Sequence, residues 1–324
     1  MNSHHRAVTK RIVFIGQPEV DAKRFETRAL ADFPRLDLIA TNDRDLALRH
    51  AHEADVLMGH HFLFDEEMLR RATRLRWIQS LTAGTDGILK LAALRAEVTV
   101  TSTRGMHGPQ VSELVFLQML SLQRDFPRML RNQSAQLWER WPQPLLWGKT
   151  IVIVGVGAIA EALAPRCKAF GMTVYGISGS PRRPEGFDGV FGRDEIRRGA
   201  ALADFLVLIV PHTPQTEKLI DAAVIAAMKP SAYLINVARG GVLDEDALLE
   251  ALRAGRLAGA ALDVFREGSL PAHHPLWREN RVIITPHIGG MSDIYLDQAY
   301  PIVRDNLRKF LAGEIAAMNN IVPH

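Results

Sequence analysis

Residues 150–160 read Thr-Ile-Val-Ile-Val-Gly-Val-Gly-Ala-Ile-Ala, which begins with a run of β-branched residues typical of a buried parallel strand. Gly155, Gly157 and Ala160 follow with the spacing of a dinucleotide-binding turn, and a helical pattern then runs to Gly171. Gly155 permits a sharp turn, Gly157 lets the backbone approach a pyrophosphate, and Ala160 lets the helix pack on the strand. The start of such a helix also offers free N–H groups to phosphate. The stretch therefore predicts a dinucleotide site, with these cofactor-binding residues: Gly155, Gly157, Ala158 and Ile159.

The composition of the 324-residue chain, with 47% hydrophobic and 23% charged residues, is typical of a globular protein of about two domains. The net charge is only +3, and the 39 basic and 36 acidic residues are interspersed, which excludes a nucleic-acid-binding stripe. The single cysteine, Cys167, excludes an intrachain disulfide and fits a reducing compartment. No apolar run approaches the ~20 residues of a membrane span, and residues 1–11 lack a signal-peptide core. We therefore expect a cytoplasmic protein with no nucleic-acid partner, no membrane partner and no metal site.

Short apolar segments alternate with helical patterns along the whole chain. The predicted strands are 12–15, 36–40, 56–58, 77–80 and 98–101, followed by 151–154, 174–177, 205–210, 233–237, 259–264 and 282–285. Runs rich in Val, Ile and Leu are typical of parallel strands that are covered on both faces. Their alternation with helices predicts an α/β architecture.

The position of the glycine turn predicts how the domains are arranged. A dinucleotide-binding domain at residues 101–288 leaves residues 1–100 before it and a mostly helical tail at 289–324, which is too short to fold alone. The simplest arrangement joins 1–100 and 289–324 into one substrate-binding domain. A helix at 109–126 would then be one of the two connections between the domains. The expected fold is therefore α/β, with two Rossmann-like domains and parallel sheets. The dinucleotide-binding domain would be inserted into a flavodoxin-like substrate domain, with the active site in the cleft.

Five motifs together resemble the D-isomer-specific 2-hydroxyacid dehydrogenases. They are Gly84-Thr85-Asp86, residues 105–113, the glycine turn, residues 236–240 and residues 285–290, and the segment 262–265 also matches. Because order and spacing agree over nearly the whole length, the chain is identified as a member of this family. The glyoxylate and hydroxypyruvate reductases look closest. The resemblance implies NAD(P)H-dependent reduction of a small 2-oxo acid to the D-2-hydroxy acid.

The chemistry of a 2-oxo acid explains the catalytic assignments. Arg239 follows a predicted strand, where α/β sheets bind ligands, and offers a planar bidentate donor to the substrate carboxylate and carbonyl oxygen. His287 also follows a strand and suits proton exchange near neutral pH. Both are also predicted to bind substrate. The loop of Ala83 and Gly84 resembles the family loop whose N–H groups hold the substrate carboxylate.

The chain departs from the family at one catalytic position. In the family, a glutamate after the Leu-Asp-Val-Phe segment hydrogen-bonds the catalytic histidine and raises its pKa, but here Gly268 stands at that place and Glu267 lies one residue earlier. Three outcomes are open: Glu267 reaches His287 through a local backbone adjustment, another carboxylate acts instead, or His287 works unaided with a lower pKa. We predict the first, with Glu267 as a catalytic residue.

The second strand of the dinucleotide domain predicts the cofactor. An enzyme that uses NAD(H) normally has Asp or Glu at its end to bind the ribose hydroxyls, whereas Ser178 stands here, 23 residues after Gly155. Hydroxyl and guanidinium donors suit a 2′-phosphate, so we predict a preference for NADP(H), with NAD(H) as the alternative. The donors are Ser178, Ser180, Arg182 and Arg183.

The resemblance implies further contacts to the cofactor and to a second subunit. Cofactor contacts fall at Pro211, His212, Thr213, Val237, Ala238, Asp263, Gly289 and Gly290, with Asp263 placed against the nicotinamide carboxamide. The segment 136–148, which contains Trp138 and Trp141, corresponds to part of the family's subunit contact and predicts a homodimer.

Other functions on this fold remain alternatives. A nucleotide-sensing protein similar to the C-terminal-binding-protein corepressors agrees with Gly268, but the retained Arg239 and His287 argue against it. A compact D-3-phosphoglycerate dehydrogenase stays open, whereas a form with a regulatory module is disfavoured because the sequence ends at His324. Oxidation of formate or phosphite is a smaller alternative.

Overall fold

The computed structural model describes residues 10–18, 20–180 and 182–324, so most of the polar segment predicted to lack a signal-peptide core lies outside the described residues. The chain divides into two compact units. The first contains the residues up to Met106 together with Met291–His324, and the second contains His107–Gly290. These boundaries fall slightly later than the predicted ones, because Thr101 still pairs with the first sheet and Met106 packs in the first unit's core.

The first unit is built on a parallel sheet whose strand order, β2-β1-β3-β4-β5, is that of flavodoxin-like folds. Its strands are β1 (Arg11–Ile15), β2 (Asp37–Thr41), β3 (Val56–Gly59), β4 (Trp77–Ser80) and β5 (Thr99–Thr101). Its first helices are α1 (Ala22–Asp32), α2 (Arg44–His50), α3 (Glu66–Arg71) and α4 (Asp86–Leu89), with 3-10 turns at Ala51–Glu53 and His61–Leu63. Apolar residues are buried on both faces of this sheet, as its continuous Val, Ile and Leu runs require.

The second unit contains a parallel sheet in the order β12-β11-β10-β9-β6-β7-β8. Its strands are β6 (Thr150–Val154), β7 (Thr173–Ser178), β8 (Gly189–Gly192), β9 (Phe205–Leu208), β10 (Tyr233–Asn236), β11 (Gly259–Leu262) and β12 (Val282–Ile284). Starting from β8, this is the doubly wound dinucleotide-binding order with one strand added. The order reverses between β6 and β9, and ligands bind outside the carboxyl ends of the strands at such a point.

The helices of the second unit cover both faces of its sheet. They are α5 (Gly108–Gln123), α6 (Phe126–Ser134), α7 (Ala158–Ala169), α8 (Ile196–Leu202), α9 (Ala222–Ala227) and α10 (Glu245–Arg253), with 3-10 turns at Arg193–Glu195, Gly240–Val242 and Pro275–Arg278. The helix predicted at 109–126 is wrong at its end, because Asp125 adopts a left-handed conformation with φ 52° and a new helix begins at Phe126. Strand β8 was not predicted, because its two apolar residues lie between glycines.

The last helix, α11 (Tyr295–Ala312), belongs to the first unit and is followed by a 3-10 turn at Ile315–Ala317. Its apolar residues recur every three or four positions and form one buried face. This face shares a core with α1, where the rings of Phe25 and Tyr300 meet edge to face at 6.1 Å. The predicted fold class is confirmed: the chain is α/β with two parallel sheets, and the dinucleotide-type unit is inserted into the flavodoxin-like one.

Among the described residues, no helix is both long enough and apolar enough to cross a membrane.

Candidate functional site

The two glycines of the turn after β6 have different surroundings. Gly155 has φ +105°, and a Cβ atom there would lie 2.8 Å from Cγ1 of Val210 and 3.0 Å from its backbone nitrogen. No other residue fits at Gly155 without moving the neighbouring chain. Gly157 is different, because a Cβ atom there would meet nothing within 4 Å. Ala158 is exposed beside Gly157, Ile159 is half-buried, and Ala160 is fully buried where α7 packs on the sheet.

A cavity of about 230 Å³ lies beside the glycine turn, and a second of about 870 Å³ lies beyond the end of β7. Ser178 and Ser180 line the larger cavity, and their hydroxyl oxygens are 3.3 Å apart. The predicted arginines also line it, but both are engaged: Arg182 pairs with the carboxylate of Glu161, and Arg183 Nε donates to the carbonyl of Phe187 at 3.0 Å.

The loop after β9 is held by one buried threonine. Thr216 Oγ1 donates to the carbonyl of Pro211 at 2.7 Å and accepts from the backbone N–H of Thr213 at 2.8 Å. Pro211 lines the smaller cavity, while His212 forms a hydrogen bond with Glu217 and lies over Gly241, where a Cβ atom would approach its ring to 2.6 Å. This loop therefore has a fixed shape beside the glycine turn.

Arg239 is presented by a turn that a buried asparagine organises. Asn236, at the end of β10 and 0% exposed, accepts from the N–H of Ala238 at 3.0 Å and donates to the carbonyl of Arg239 at 3.1 Å. Arg239 Nη1 in turn donates to the carbonyl of Ala238 at 2.7 Å. Beyond it, Gly240 lies so close to the chain at Phe265 that a Cβ atom would overlap the Phe265 carbonyl carbon at 1.9 Å. The backbone on both sides of Arg239 is therefore fixed.

His287 lies in a loop that one carboxylate clamps. Its φ is +55°, a left-handed conformation that is uncommon for a residue other than glycine. Asp263, at the end of β11, accepts from Thr285 Oγ1 at 2.6 Å and from the backbone N–H groups of Ile288 at 3.0 Å and Gly289 at 2.9 Å. These bonds bracket His287 on both sides and hold it in that conformation.

The glycines after His287 are required by close packing. A Cβ atom on Gly289 would lie 3.0 Å from Oδ2 of Asp263, and one on Gly290 would lie 3.3 Å from the ring of His107. Gly290 also accepts a long hydrogen bond from Gln110 Nε2 at 3.4 Å. The glycine pair therefore brings the His287 loop against the start of α5.

The two histidines near Arg239, His107 and His287, differ in the charges that act on their pKa values and in their exposure. Burial and then the positive charge of Arg239 lower the pKa of His107 to about 4, so its ring is neutral near pH 7. Partial burial of the ring and Arg239 also lower the pKa of His287, but the carboxylate of Asp263 raises it. His287 is the more exposed of the two. Of the two rings, His287 is therefore the more accessible to a ligand and the one whose protonated form a carboxylate favours.

Comparison with known proteins agrees with this geometry. Residues 116–289 match the family described as D-isomer specific 2-hydroxyacid dehydrogenase, NAD binding domain. The D-3-phosphoglycerate dehydrogenase of Methanocaldococcus jannaschii is 35% identical over 77% of this chain and 48% of that protein, so the chain spans about half its length. Glyoxylate/hydroxypyruvate reductase A of Serratia proteamaculans is 36% identical over 70% of the chain and 74% of that protein.

The chain belongs to the D-isomer specific 2-hydroxyacid dehydrogenase family. A solved family member from Aeromonas salmonicida subsp. salmonicida superimposes with a TM-score of 0.89 at 35% identity, over 97% of this chain and 99% of that one. The NADPH-dependent glyoxylate/hydroxypyruvate reductase of Sinorhizobium meliloti, solved with NADP and sulfate, has a TM-score of 0.83 at 26% identity, over 97% and 98% of the two chains.

The family's glutamate position differs in this member. Gly268 has φ +79°, and its N–H donates to the carbonyl of Phe265 at 3.0 Å, which closes a tight turn. Glu267 lies exposed on that turn. Within the described ranges, no hydrogen bond or ion pair joins Glu267 to His287, and the charges that act on His287 are those of Arg239 and Asp263. The predicted adjustment that would bring Glu267 to His287 is therefore not what the structure shows.

The predicted substrate loop belongs to the first unit. Ala83 and Gly84 follow β4 and are half-exposed. Thr82 Oγ1 donates to the carbonyl of Gly84 at 2.7 Å and contacts Nδ1 of His61 at 3.0 Å. The loop is therefore held from within its own unit, and its role toward the substrate remains a prediction.

Two residues at this site were not predicted from the sequence. Asn236 fixes the Arg239 turn, and a polar residue that ends an apolar strand is the signal that could have identified it. Arg193 follows β8 and lines both cavities, but β8 itself was missed, so the position of Arg193 was also missed. The residues within the described ranges contain no cluster of three His, Cys, Asp or Glu side chains that could hold a metal.

Proposed function

We propose that this protein reduces a small 2-oxo acid, such as glyoxylate or hydroxypyruvate, to the D-2-hydroxy acid with a nicotinamide cofactor. One observation carries the proposal. Arg239 follows β10 and His287 follows β12, the two strands on either side of β11, and the positive charge of Arg239 lowers the pKa of His287. A fixed cation and a titratable proton carrier are the two groups that a 2-oxo acid requires.

The residues of the second unit fit a dinucleotide. The open space in front of Gly157 is the place that the backbone must leave free for a pyrophosphate, and Ala158 begins a helix whose N–H groups face that space. Val237 and Ala238 follow β10, which β9 separates from β6 in the same sheet, and lead into Arg239. When bound, the cofactor supplies or accepts hydride.

The roles of the side chains follow from their chemistry. Arg239 binds the substrate carboxylate and polarises the carbonyl through its planar fork of donors. Protonated His287 gives its proton to the carbonyl oxygen in reduction and takes it back in oxidation. Asp263 holds the His287 loop and supports the protonated ring. We leave Glu267 out of this set, because it is exposed and unpaired with His287.

We also propose a preference for NADPH over NADH. Ser178 replaces the carboxylate that would bind the ribose hydroxyls and repel a 2′-phosphate. The S. meliloti relative, which is NADPH-dependent, supports the same preference. Replacing Ser178 with Asp should move the ratio of kcat/KM values for the two cofactors toward NADH, and Ser178→Ala is the matched control that removes the hydroxyl without adding charge.

A homodimer is a further proposal. Trp138 is 92% exposed and Leu137 is 56% exposed, on the segment that corresponds to the family's subunit contact. Large exposed apolar side chains are typical of an interface. Light scattering measures the mass directly, and Trp138→Glu should shift a dimer toward monomer.

The test of function is the absorbance of the nicotinamide band with purified protein, NADPH or NADH, and a panel of 2-oxo acids. We expect turnover of glyoxylate or hydroxypyruvate, and its loss in Arg239→Ala and His287→Ala at unchanged thermal stability. Turnover of 3-phosphohydroxypyruvate alone would favour the alternative of a compact phosphoglycerate dehydrogenase. A D-3-phosphoglycerate dehydrogenase is among the relatives, at 35% identity. Cofactor binding without turnover of any acid would favour the nucleotide-sensing alternative.

A further inference from the structure

Two cavities meet at one arginine. The smaller cavity contacts the glycine turn, and the larger one contacts the serines after β7; Ser178, Gly179 and Arg193 are the residues that line both. Because the second strand of a dinucleotide fold ends where the adenosine ribose binds, Ser178 marks the ribose position under the proposed function. Arg193 therefore lies at the junction between the phosphate side and the ribose side of the site.

The three arginines of the larger cavity differ in what they already bind. Arg182 is paired with Glu161, and Arg183 donates to the carbonyl of Phe187. Arg193 is exposed, and its guanidinium forms neither a hydrogen bond nor an ion pair with any residue that the structure describes. A guanidinium with no internal partner keeps all its donors for a ligand, whereas Arg182 must first give up a carboxylate.

A glycine lets this guanidinium approach the end of β7. A Cβ atom on Gly179 would lie 2.9 Å from Nη2 and 3.3 Å from Cζ of Arg193, so a larger residue would push the side chain away. Gly179 is the residue directly after Ser178. The guanidinium of Arg193 therefore lies against the backbone at the proposed ribose position.

We propose that Arg193, rather than Arg182 or Arg183, is the guanidinium that binds the 2′-phosphate of NADPH and sets the cofactor preference. This inference rests on the proposed use of a nicotinamide dinucleotide. The phosphate carries about two negative charges near neutral pH, and Arg binds it through paired N–H donors. Asp194 is the one carboxylate among the lining residues of this cavity, against three arginines, so the cavity remains favourable to an anion.

The rival role for Arg193 is stacking on the adenine ring, which NADPH and NADH share. The two roles predict different losses of cofactor affinity when Arg193 is replaced. Phosphate binding makes Arg193 important for NADPH only, whereas stacking makes it equally important for both cofactors. A measurement that compares two ligands differing only in the phosphate therefore separates them.

The experiment measures dissociation constants by calorimetry, without substrate, for NADPH and NADH and for adenosine 2′,5′-bisphosphate and AMP. The variants are Arg193→Ala, Arg193→Lys, Arg182→Ala and, as a surface control, Arg198→Ala, whose arginine pairs with Glu195 outside both cavities. We expect Arg193→Ala to weaken NADPH and the bisphosphate by about 10- to 100-fold while NADH and AMP hardly change. Arg193→Lys should lie between, because it keeps the charge and loses the fork.

A further variant, Gly179→Ala, tests the position of the Arg193 guanidinium without removing its charge. Gly179→Ala should displace Arg193 and weaken NADPH in the same direction, but less. Equal losses for both cofactors in Arg193→Ala, or a larger NADPH loss in Arg182→Ala, would overturn the assignment. Since binding is read without turnover, an Arg193-dependent preference in a protein that reduces no 2-oxo acid would keep this inference and reject the proposed reaction instead.

Discussion

The two ends of the second sheet's carboxyl edge are built differently. At the ends of β10, β11 and β12, which we call the reaction end, polar side chains are buried and bonded within the unit: Asn236 is 0% exposed and Asp263 is 1% exposed. At the ends of β6, β7 and β8, the adenosine end, Gly157 faces open space and Arg193 is exposed. Proton transfer requires atoms that are held within a fraction of an ångström. Discrimination between NADPH and NADH requires only a positive charge that can reach the 2′-phosphate.

This difference predicts where substitutions act. Changes at the reaction end should lower kcat, because they move a positioned group. Changes at the adenosine end should alter the binding of the cofactors while kcat stays the same.

Among the residues that do not contact the substrate in the proposed mechanism, the largest effect is expected for Asp263→Asn. The amide keeps the size of the side chain but replaces one accepting oxygen with a donor, which then faces a backbone N–H of Ile288 or Gly289. An unsatisfied buried donor costs about 1–3 kcal/mol, so the loop should shift and kcat should fall by about 10- to 100-fold. Steady-state kinetics measure the loss, and Asp246→Asn, on an exposed carboxylate of α10, is the control.

The same variant should move the pH profile in a defined direction. Asp263 raises the pKa of His287, so its removal lowers that pKa further. Under the proposed mechanism reduction requires protonated His287, and kcat/KM for reduction therefore falls as the pH rises through this pKa. We expect the falling limb to move to lower pH in Asp263→Asn, and a limb that stays in place would mean that Asp263 acts on the backbone alone.

The sequence predicted the positions of the main site residues better than the contacts that hold them. Gly155 follows its strand directly, and Arg239 and His287 follow soon after the ends of β10 and β12, so the strand pattern and the family motifs together located them. The bonds of Asp263 could not be predicted, because they join residues 22 to 26 positions apart through a left-handed loop. Arg193 was missed because β8 has only two apolar residues, too few for a periodic signal.

An intermediate effect is expected at the glycine turn, where two neighbouring glycines should respond differently. Gly155→Ala must hold a positive φ and crowd Val210, which costs roughly 1–3 kcal/mol of stability and should lower Tm. Gly157→Ala adds a Cβ atom that meets no protein atom within 4 Å, so Tm should stay the same while the affinity for both cofactors falls. Calorimetric unfolding and cofactor titration of both variants make this comparison. A Gly157 variant that unfolds early would show that the open space is structural rather than reserved for a ligand.

The smallest effect is expected for Glu267→Gln. Glu267 is only four residues from Asp263 along the chain, but it lies exposed on the turn that Gly268 closes, while Asp263 is buried and bonded on both sides of His287. A carboxylate surrounded by water exerts little influence on a distant pKa, because the solvent screens its charge. The pH profile of kcat/KM should therefore match that of the unmodified protein, in contrast to Asp263→Asn. A falling limb that moves to lower pH in Glu267→Gln would mean that the turn rearranges when substrate binds, and that the reaction end is less rigid than its hydrogen bonds indicate.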